Sequence, residues 1–124
     1  MATFEFRFDP RFALPLAALG VLPRTTSVTV SETVLVVRFG LWRLRTGLDN
    51  VAGVERSGPY RAYRAIGPRL SFTDHGVTFG TNTRAGLCVK FHRPVPALEP
   101  SGRLRHPGMT VTVEDLEGLA GALG

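Results

Sequence analysis

The chain has a single cysteine, Cys88, and no apolar run of transmembrane length. One cysteine cannot close an internal disulfide, so the fold does not depend on an oxidising compartment. The apolar segment at residues 12–23 is far shorter than the roughly 20 apolar residues that a bilayer requires. It also contains prolines and follows acidic residues. We therefore expect a cytoplasmic protein in which this segment belongs to the fold.

Motifs of catalysis, phosphate binding and metal binding are also lacking. The sequence has no Gly-x-Ser-x-Gly and no Gly-x-Gly-x-x-Gly, and its acidic residues form no evident carboxylate pair. Cys88 and His92 have a C-x3-H spacing, but the next histidine follows too far along the chain for a structural zinc site, which takes four ligands. We therefore predict a non-enzymatic protein with no catalytic residues, no metal and no cofactor.

Lysine is nearly absent, since fourteen of the fifteen basic residues are arginine, and the formal net charge is +5. Arginine binds carboxylates and phosphates through paired hydrogen bonds and stacks on aromatic rings, which suits an anionic ligand. A GC-rich genome is the alternative explanation, because its codons favour Arg, Gly, Ala, Pro and Val together. Both explanations stay open at this point.

A hydrophobic period of two dominates the chain, which is typical of β-strands. At residues 41–46 it predicts that Trp42 and Leu44 face one way and that Arg43 and Arg45 face the other. Its 124 residues suit one domain. Residues 1–25 hold an N-terminal strand and a segment broken by proline, residues 26–113 hold strands, and residues 114–123 form a helix. We count about seven to nine short strands, with turn signals between them. Four prolines predict a long loop at residues 92–108.

The helix prediction rests on the apolar stripe of Leu116, Leu119, Ala120 and Leu123. Thr112 is the expected N-cap, with an acidic residue three positions later. Such a helix has the size to close the open mouth of an antiparallel barrel. We therefore predict a mainly β (α+β) fold, an antiparallel β-roll or barrel capped by one C-terminal helix.

Phenylalanine is the main aromatic residue, and its positions predict the core. The residues concerned lie at strand positions: Phe4, Phe6, Phe8, Phe39, Phe72, Phe79 and Phe91. Cys88 lies on a strand and faces away from Leu87 and Val89, so we expect a buried or half-buried structural thiol.

Antiparallel strands followed by one C-terminal helix resemble the pleckstrin-homology-like (PH-like) fold. The sequence FGLWRLRTGLDNVAGV at residues 39–54 is similar to the core of small bacterial PH-like domains. There, an aromatic-glycine strand end, a second strand and an Asn/Asp-Val segment lead into a third strand. The resemblance covers about residues 26–123 and implies a PH-like roll. Phosphoinositide-binding members carry a basic cluster between their first two strands, where this chain has Ser31 and Glu32, so that lipid site is not implied.

The densest mixture of cations and aromatics lies at residues 56–69, with four arginines and two tyrosines. Guanidinium groups next to aromatic rings suit phosphate or single-stranded nucleic acid. The alternative is a solvated loop whose tyrosines fold onto the barrel. With one later arginine added, the candidate ligand-binding residues are Arg56, Tyr60, Arg61, Tyr63, Arg64, Arg69 and Arg84.

Three functions follow from these observations. The leading hypothesis is a binding or scaffolding domain for a protein partner or an anionic ligand, with a homodimer through the strand at residues 4–8 as one form. The second is nucleic-acid or phospho-ligand binding through residues 56–69. The third is a small-molecule carrier or enzyme with a pocket inside the barrel, which the Phe-rich strands oppose.

Overall fold

The structure is a computed structural model that describes residues 2–59, 66–70, 76–97 and 105–123. Over these residues the chain is mainly β, as predicted, with nine strands and two α-helices. The strands are β1 (Ala2–Phe4), β2 (Thr26–Val30), β3 (Val34–Phe39), β4 (Trp42–Gly47), β5 (Val51–Ser57), β6 (Gly67–Leu70), β7 (Val77–Gly80), β8 (Gly86–Pro96) and β9 (Arg105–Val111). The helices are α1 (Ala13–Ala18) and α2 (Leu116–Leu123). In this part of the chain no helix has both the length and the apolar character needed to cross a membrane.

The strands form two sheets. The first four strands make an antiparallel meander in the order β1-β2-β3-β4, and the other five follow the order β5-β8-β9-β7-β6. The chain changes sheet at a 3-10 turn over Leu48–Asn50, so β4 and β5 do not pair. Within the described residues each sheet therefore keeps two edge strands, and of the predicted roll or barrel no closed barrel forms. The β7–β9 pair is parallel, which departs from the expected all-antiparallel arrangement.

The buried faces of the two sheets share one aromatic cluster. The Phe39 ring centroid lies 5.3 Å from that of Phe6 and 5.1 Å from that of Phe79. All three are buried, as is Phe91, while Phe4 and Phe8 pack against this core as half-buried residues. The core prediction is confirmed for these six phenylalanines, and Phe72 lies outside the described residues.

The loop predicted from the prolines is wrong for the described part of residues 92–108. Strand β8 continues through Pro94 and Pro96, and β9 contains Pro107. Because β5 pairs with β8 only as far as Phe91, the prolines of β8 lie where β9 is the one paired strand among the described residues. The β8–β9 register also shifts before this stretch. Proline lacks an N–H donor and is accommodated at such edge and irregular positions.

The N-terminal segment is tied into the fold through its backbone. Only residues 2–4 form a continuous strand, and Phe6 makes an isolated bridge with Val113. The Arg7 amide donates to the Thr112 carbonyl at 3.0 Å, and the Asp9 amide donates to the Thr81 carbonyl at 3.0 Å. Removing this segment would take Phe6 from the core, so it would perturb folding as well as any contact between copies.

Helix α2 begins at Leu116, two residues later than predicted. Its cap is Asp115, whose carboxylate accepts a hydrogen bond from the Gly118 amide at 2.9 Å, the usual N-cap geometry. Thr112, the expected cap, is instead buried, and its hydroxyl accepts a hydrogen bond from the Thr81 amide at 2.8 Å. The apolar stripe of α2 packs against β5 and β8.

Helix α1 lies in the segment broken by proline, so the described chain has a short helix besides the predicted C-terminal one. Pro15 is the third residue of this helix. The first amides of an α-helix have no intrahelical acceptor, so a missing N–H costs little at that position.

Candidate functional site

The predicted arginine–tyrosine segment is only partly covered by the structure. Tyr60, Arg61, Tyr63 and Arg64 lie outside the described residues. Arg56 is exposed on β5, and Arg84 is exposed just before β8. The backbone of Arg69 lies on β6.

Arg56 and Arg84 come to the same end of the five-stranded sheet. Ser57 pairs with Gly86, and the Gly58 backbone packs directly against that of Arg84. Arg69 lies on β6, at the opposite edge of the sheet from β5. Four strand spacings separate these two edges, about 19 Å. The structure therefore brings together Arg56 and Arg84 and places Arg69 apart from them.

This end of the sheet carries charges of both signs. The Arg56 Nη1 atom lies 3.9 Å from Oε1 of Glu117, and both side chains are exposed. Hydrogen bonds from Arg11 lower the pKa of Asp9, and the charge of Arg84 lowers that pKa further. Each of the two arginines therefore has a carboxylate in its surroundings.

A second basic surface lies on the outer side of the four-stranded sheet. It consists of Arg38 on β3 and of Arg43 and Arg45 on β4, all of them exposed, and we call it the arginine face. The alternation of the strands buries Val37 and Leu44 and turns the three arginines outward. Their common face is thus a direct consequence of the period-two pattern.

The register of β3 and β4 places like charges opposite each other. Arg38 pairs with Arg43, and Arg45 pairs with Val36. Directly opposed residues have Cβ atoms about 5 Å apart, and like charges at that distance destabilise a sheet. In the described ranges no carboxylate oxygen lies within 4.0 Å of these three guanidinium groups, because the ion pairs there are Asp9–Arg11 and Glu117–Arg56. The guanidinium groups of the arginine face therefore repel one another, and an anionic partner would reduce that repulsion.

Hydroxyl groups extend the arginine face across β2. Ser27 pairs with Arg38, and Thr29 pairs with Val36. Both hydroxyl-bearing residues are half-buried, and neither side chain forms a hydrogen bond within the part of the chain that the structure describes. The outward positions of β2, β3 and β4 carry no aromatic residue. The face can therefore offer charge and hydrogen bonds, but it offers no ring on which a base could stack.

An exposed leucine lies at the tip of the β3–β4 hairpin, next to the arginine face. Leu41 is 87% exposed and lies two residues from Arg43. Gly40 has φ +61, and an added Cβ would lie 2.9 Å from the Gly20 carbonyl oxygen, so the hairpin tip rests closely on the chain after α1. Leu19, at the end of α1, is also exposed. Exposed apolar area thus lies at the Arg43 end of the arginine face.

Sequence reasoning predicted that Arg43 and Arg45 face away from Leu44, but it missed that Arg43 lies directly opposite Arg38. The available signal is the spacing around the turn. Gly40 and Leu41 form a two-residue turn, and residues 38 and 43 are equidistant from it. A two-residue hairpin brings such positions directly opposite each other.

Comparisons with protein-family models, with curated proteins and with solved structures found no match. The functional proposal therefore rests on the side chains and registers described above.

Proposed function

We propose that the protein is a non-catalytic, PH-like binding domain whose arginine face holds an acidic surface of a protein partner. The observation that carries this proposal is the set of three exposed arginines, two of them directly opposed, with no carboxylate near them in the described residues. Carboxylates of a partner would accept paired hydrogen bonds from these guanidinium groups. They would also replace a repulsive contact with an attractive one.

The composition of the surface favours a protein over a nucleic acid. Arginine is enriched at protein interfaces. Leu41, which is 87% exposed, adds apolar surface two residues from Arg43. Single-stranded nucleic acid is usually held by stacking on aromatic side chains. The outward positions of β2, β3 and β4 have none.

The charge of the face also favours a different chain over a second copy. Two arginine faces brought together would place cations against cations, which costs free energy. The partner that fits is therefore acidic where this protein is basic.

The PH-like part of the proposal is supported by the strand and helix order. A four-stranded antiparallel meander is followed by a second sheet and by the C-terminal helix α2. The parallel β7–β9 pair is a departure from the antiparallel roll of that fold.

The test compares two triple variants of equal net charge. One variant is Arg38→Ala with Arg43→Ala and Arg45→Ala. Its matched control removes three exposed arginines from other places, Arg7→Ala with Arg24→Ala and Arg93→Ala. Binding of fluorescently labelled poly-L-glutamate is measured by anisotropy, and circular dichroism checks that both variants fold.

We expect the first variant to lose about tenfold in affinity, because three exposed ion pairs contribute about 0.5 kcal/mol each. The control variant should lose less affinity, because only its net charge is reduced and the arginine face is intact. Equal losses in the two variants would overturn the proposal, because the binding would then follow net charge alone.

A second candidate function, nucleic-acid or phospho-ligand binding through residues 56–69, is favoured by the common location of Arg56 and Arg84. It predicts that a single-stranded DNA of about 20 nucleotides binds with steep salt dependence, because each neutralised phosphate releases counterions. Arg61→Ala with Arg64→Ala should then weaken DNA binding. Unchanged DNA affinity in that variant would exclude this candidate.

A further inference from the structure

A groove of about 480 Å³ lies on the outer side of the five-stranded sheet, away from the arginine face. Its volume falls within the roughly 300–1,000 Å³ that is typical of small-molecule sites. It is lined by residues of β5, β7, β8 and β9. These include the only cysteine and the only lysine of the chain, Cys88 and Lys90, which lie two positions apart on β8.

The first row of groove residues crosses three neighbouring strands. Cys88 pairs with Thr110, and Thr110 pairs with Thr78. Leu87 and Val89 of β8 are buried on the core side of the sheet, so the alternation turns this row outward. A thiol and two hydroxyls thus stand side by side on one wall of the groove.

The second row places Lys90 between two glycines. Gly108 lies opposite it on β9, and Gly53 lies opposite it on β5. A Cβ at Gly108 would lie 2.9 Å from the Val89 carbonyl oxygen, so the backbones approach closely there, while a Cβ at Gly53 would have nothing within 4 Å. The lysine therefore has no side chains on its flanks, and the sheet forms a trough around it.

The polar groups of the groove are not satisfied within the described chain. The side chains of Thr78 and Thr110 are half-buried, and neither forms a hydrogen bond with a described residue. Lys90 is exposed, and its ammonium has no carboxylate within 4.0 Å in the same ranges. Glu55, paired with Cys88 from β5, is the acidic residue at the described outward positions of this sheet.

We propose that this groove binds a small organic monoanion, such as a carboxylate with a short apolar chain. The acid group would lie between the Lys90 ammonium and the hydroxyls of Thr78 and Thr110, which donate hydrogen bonds to it. The apolar part would lie against Pro107 and Ala52. One cation with one carboxylate nearby suits a single negative charge better than a polyphosphate. This inference is independent of the partner proposed for the arginine face.

Cys88 supplies a built-in reporter because it is the only thiol of the chain. Its alkylation rate by iodoacetamide is measured in the wild-type protein at rising concentrations of hexanoate, with hexanamide as the neutral control. We expect hexanoate to slow alkylation saturably, with a dissociation constant of about 1 mM, as suits a ligand of its size. Hexanamide should give little protection, because it lacks the charge.

Two variants separate the groove from general charge effects. Lys90→Met keeps the apolar stem and removes the ammonium, while Arg93→Met removes an exposed cation from the same strand outside the groove. Hexanoate protection should weaken about tenfold in Lys90→Met, the loss of roughly one hydrogen-bonded charge contact, and should persist in Arg93→Met.

A second readout covers the case in which Cys88 reacts too slowly to report. Hexanoate should shift the amide resonances of Thr78 and Thr110 in the wild type, and about tenfold more hexanoate should be needed for the same shift in Lys90→Met. The proposal is overturned if hexanoate and hexanamide protect equally, or if Lys90→Met is protected as well as the wild type. Absence of both protection and amide shifts at saturating hexanoate would overturn it as well.

Discussion

Replacing Arg43 with glutamate should stabilise the fold while weakening the binding of an acidic partner. Arg43 lies directly opposite Arg38, so Arg43→Glu converts a like-charge cross-strand pair into an ion pair. Such pairs change stability by about 0.2–1 kcal/mol each, and here a repulsion is lost as an attraction is gained. We therefore expect a gain of about 1 kcal/mol, which corresponds to a rise in Tm of about 4 °C for a chain of this length.

The control for this prediction is Arg45→Glu. Arg45 lies opposite Val36. Arg45→Glu therefore makes the same change of charge and of strand propensity, but with no cation directly opposite. In thermal unfolding followed by circular dichroism, the rise in Tm of Arg45→Glu should be less than half of that of Arg43→Glu. Because both sites are exposed, about 1 M salt should reduce the gain strongly. A Tm for Arg43→Glu that is unchanged, lowered or equal to that of Arg45→Glu would refute the reasoning.

Three further substitutions test the packing and hydrogen bonds that hold the two sheets and α2. Phe39→Ala removes a fully buried ring from the shared aromatic core and should lower the free energy of unfolding by about 3–5 kcal/mol in urea titrations. Asn50→Ala should cost about 2–3 kcal/mol in the same assay, because the buried amide of Asn50 donates to the Arg93 carbonyl at 2.9 Å and accepts from the Arg93 amide at 2.8 Å. Asp115→Ala removes the cap of α2 and should cost about 1 kcal/mol, whereas Asp115→Asn, which keeps an acceptor for the Gly118 amide, should lose much less.

Local patterns predicted the strands well because burial and polarity alternate along them. The period of two placed Trp42 and Leu44 on one side of β4 and Arg43 and Arg45 on the other, and the structure confirms that alternation. The same pattern predicted that Cys88 faces away from Leu87 and Val89 and is buried or half-buried, and the structure shows it half-buried.

Features that depend on several strands could not be predicted in this way. Proline density predicted a loop after Phe91, and that prediction was wrong. The sequence does not show where β5 stops pairing with β8, which leaves β8 an edge that accommodates Pro94 and Pro96. The parallel β7–β9 pair and the change of sheet after β4 depend on long-range packing. Short-range periodicity carries no information about either.

The candidate sites show the same division. Residues 56–69 were predicted to bind a ligand because their charges are close in sequence. The sheet nevertheless separates Arg69 from Arg56. The pairing of Arg38 with Arg43 could be predicted from the hairpin turn alone, because two residues separate their strands. The row of Thr78, Cys88 and Thr110 could not be predicted from the sequence. It depends on β9 lying between β7 and β8, which is a long-range feature of the sheet.

Charge reversal of the arginine face tests the central claim most directly. The measurement is the affinity of the wild type and of the variant Arg38→Glu with Arg43→Glu and Arg45→Glu for poly-L-glutamate and for poly-L-lysine at equal salt. The wild type should prefer poly-L-glutamate, and the folded variant should prefer poly-L-lysine. A variant that still binds poly-L-glutamate as tightly as the wild type would contradict the claim that this face holds an acidic partner.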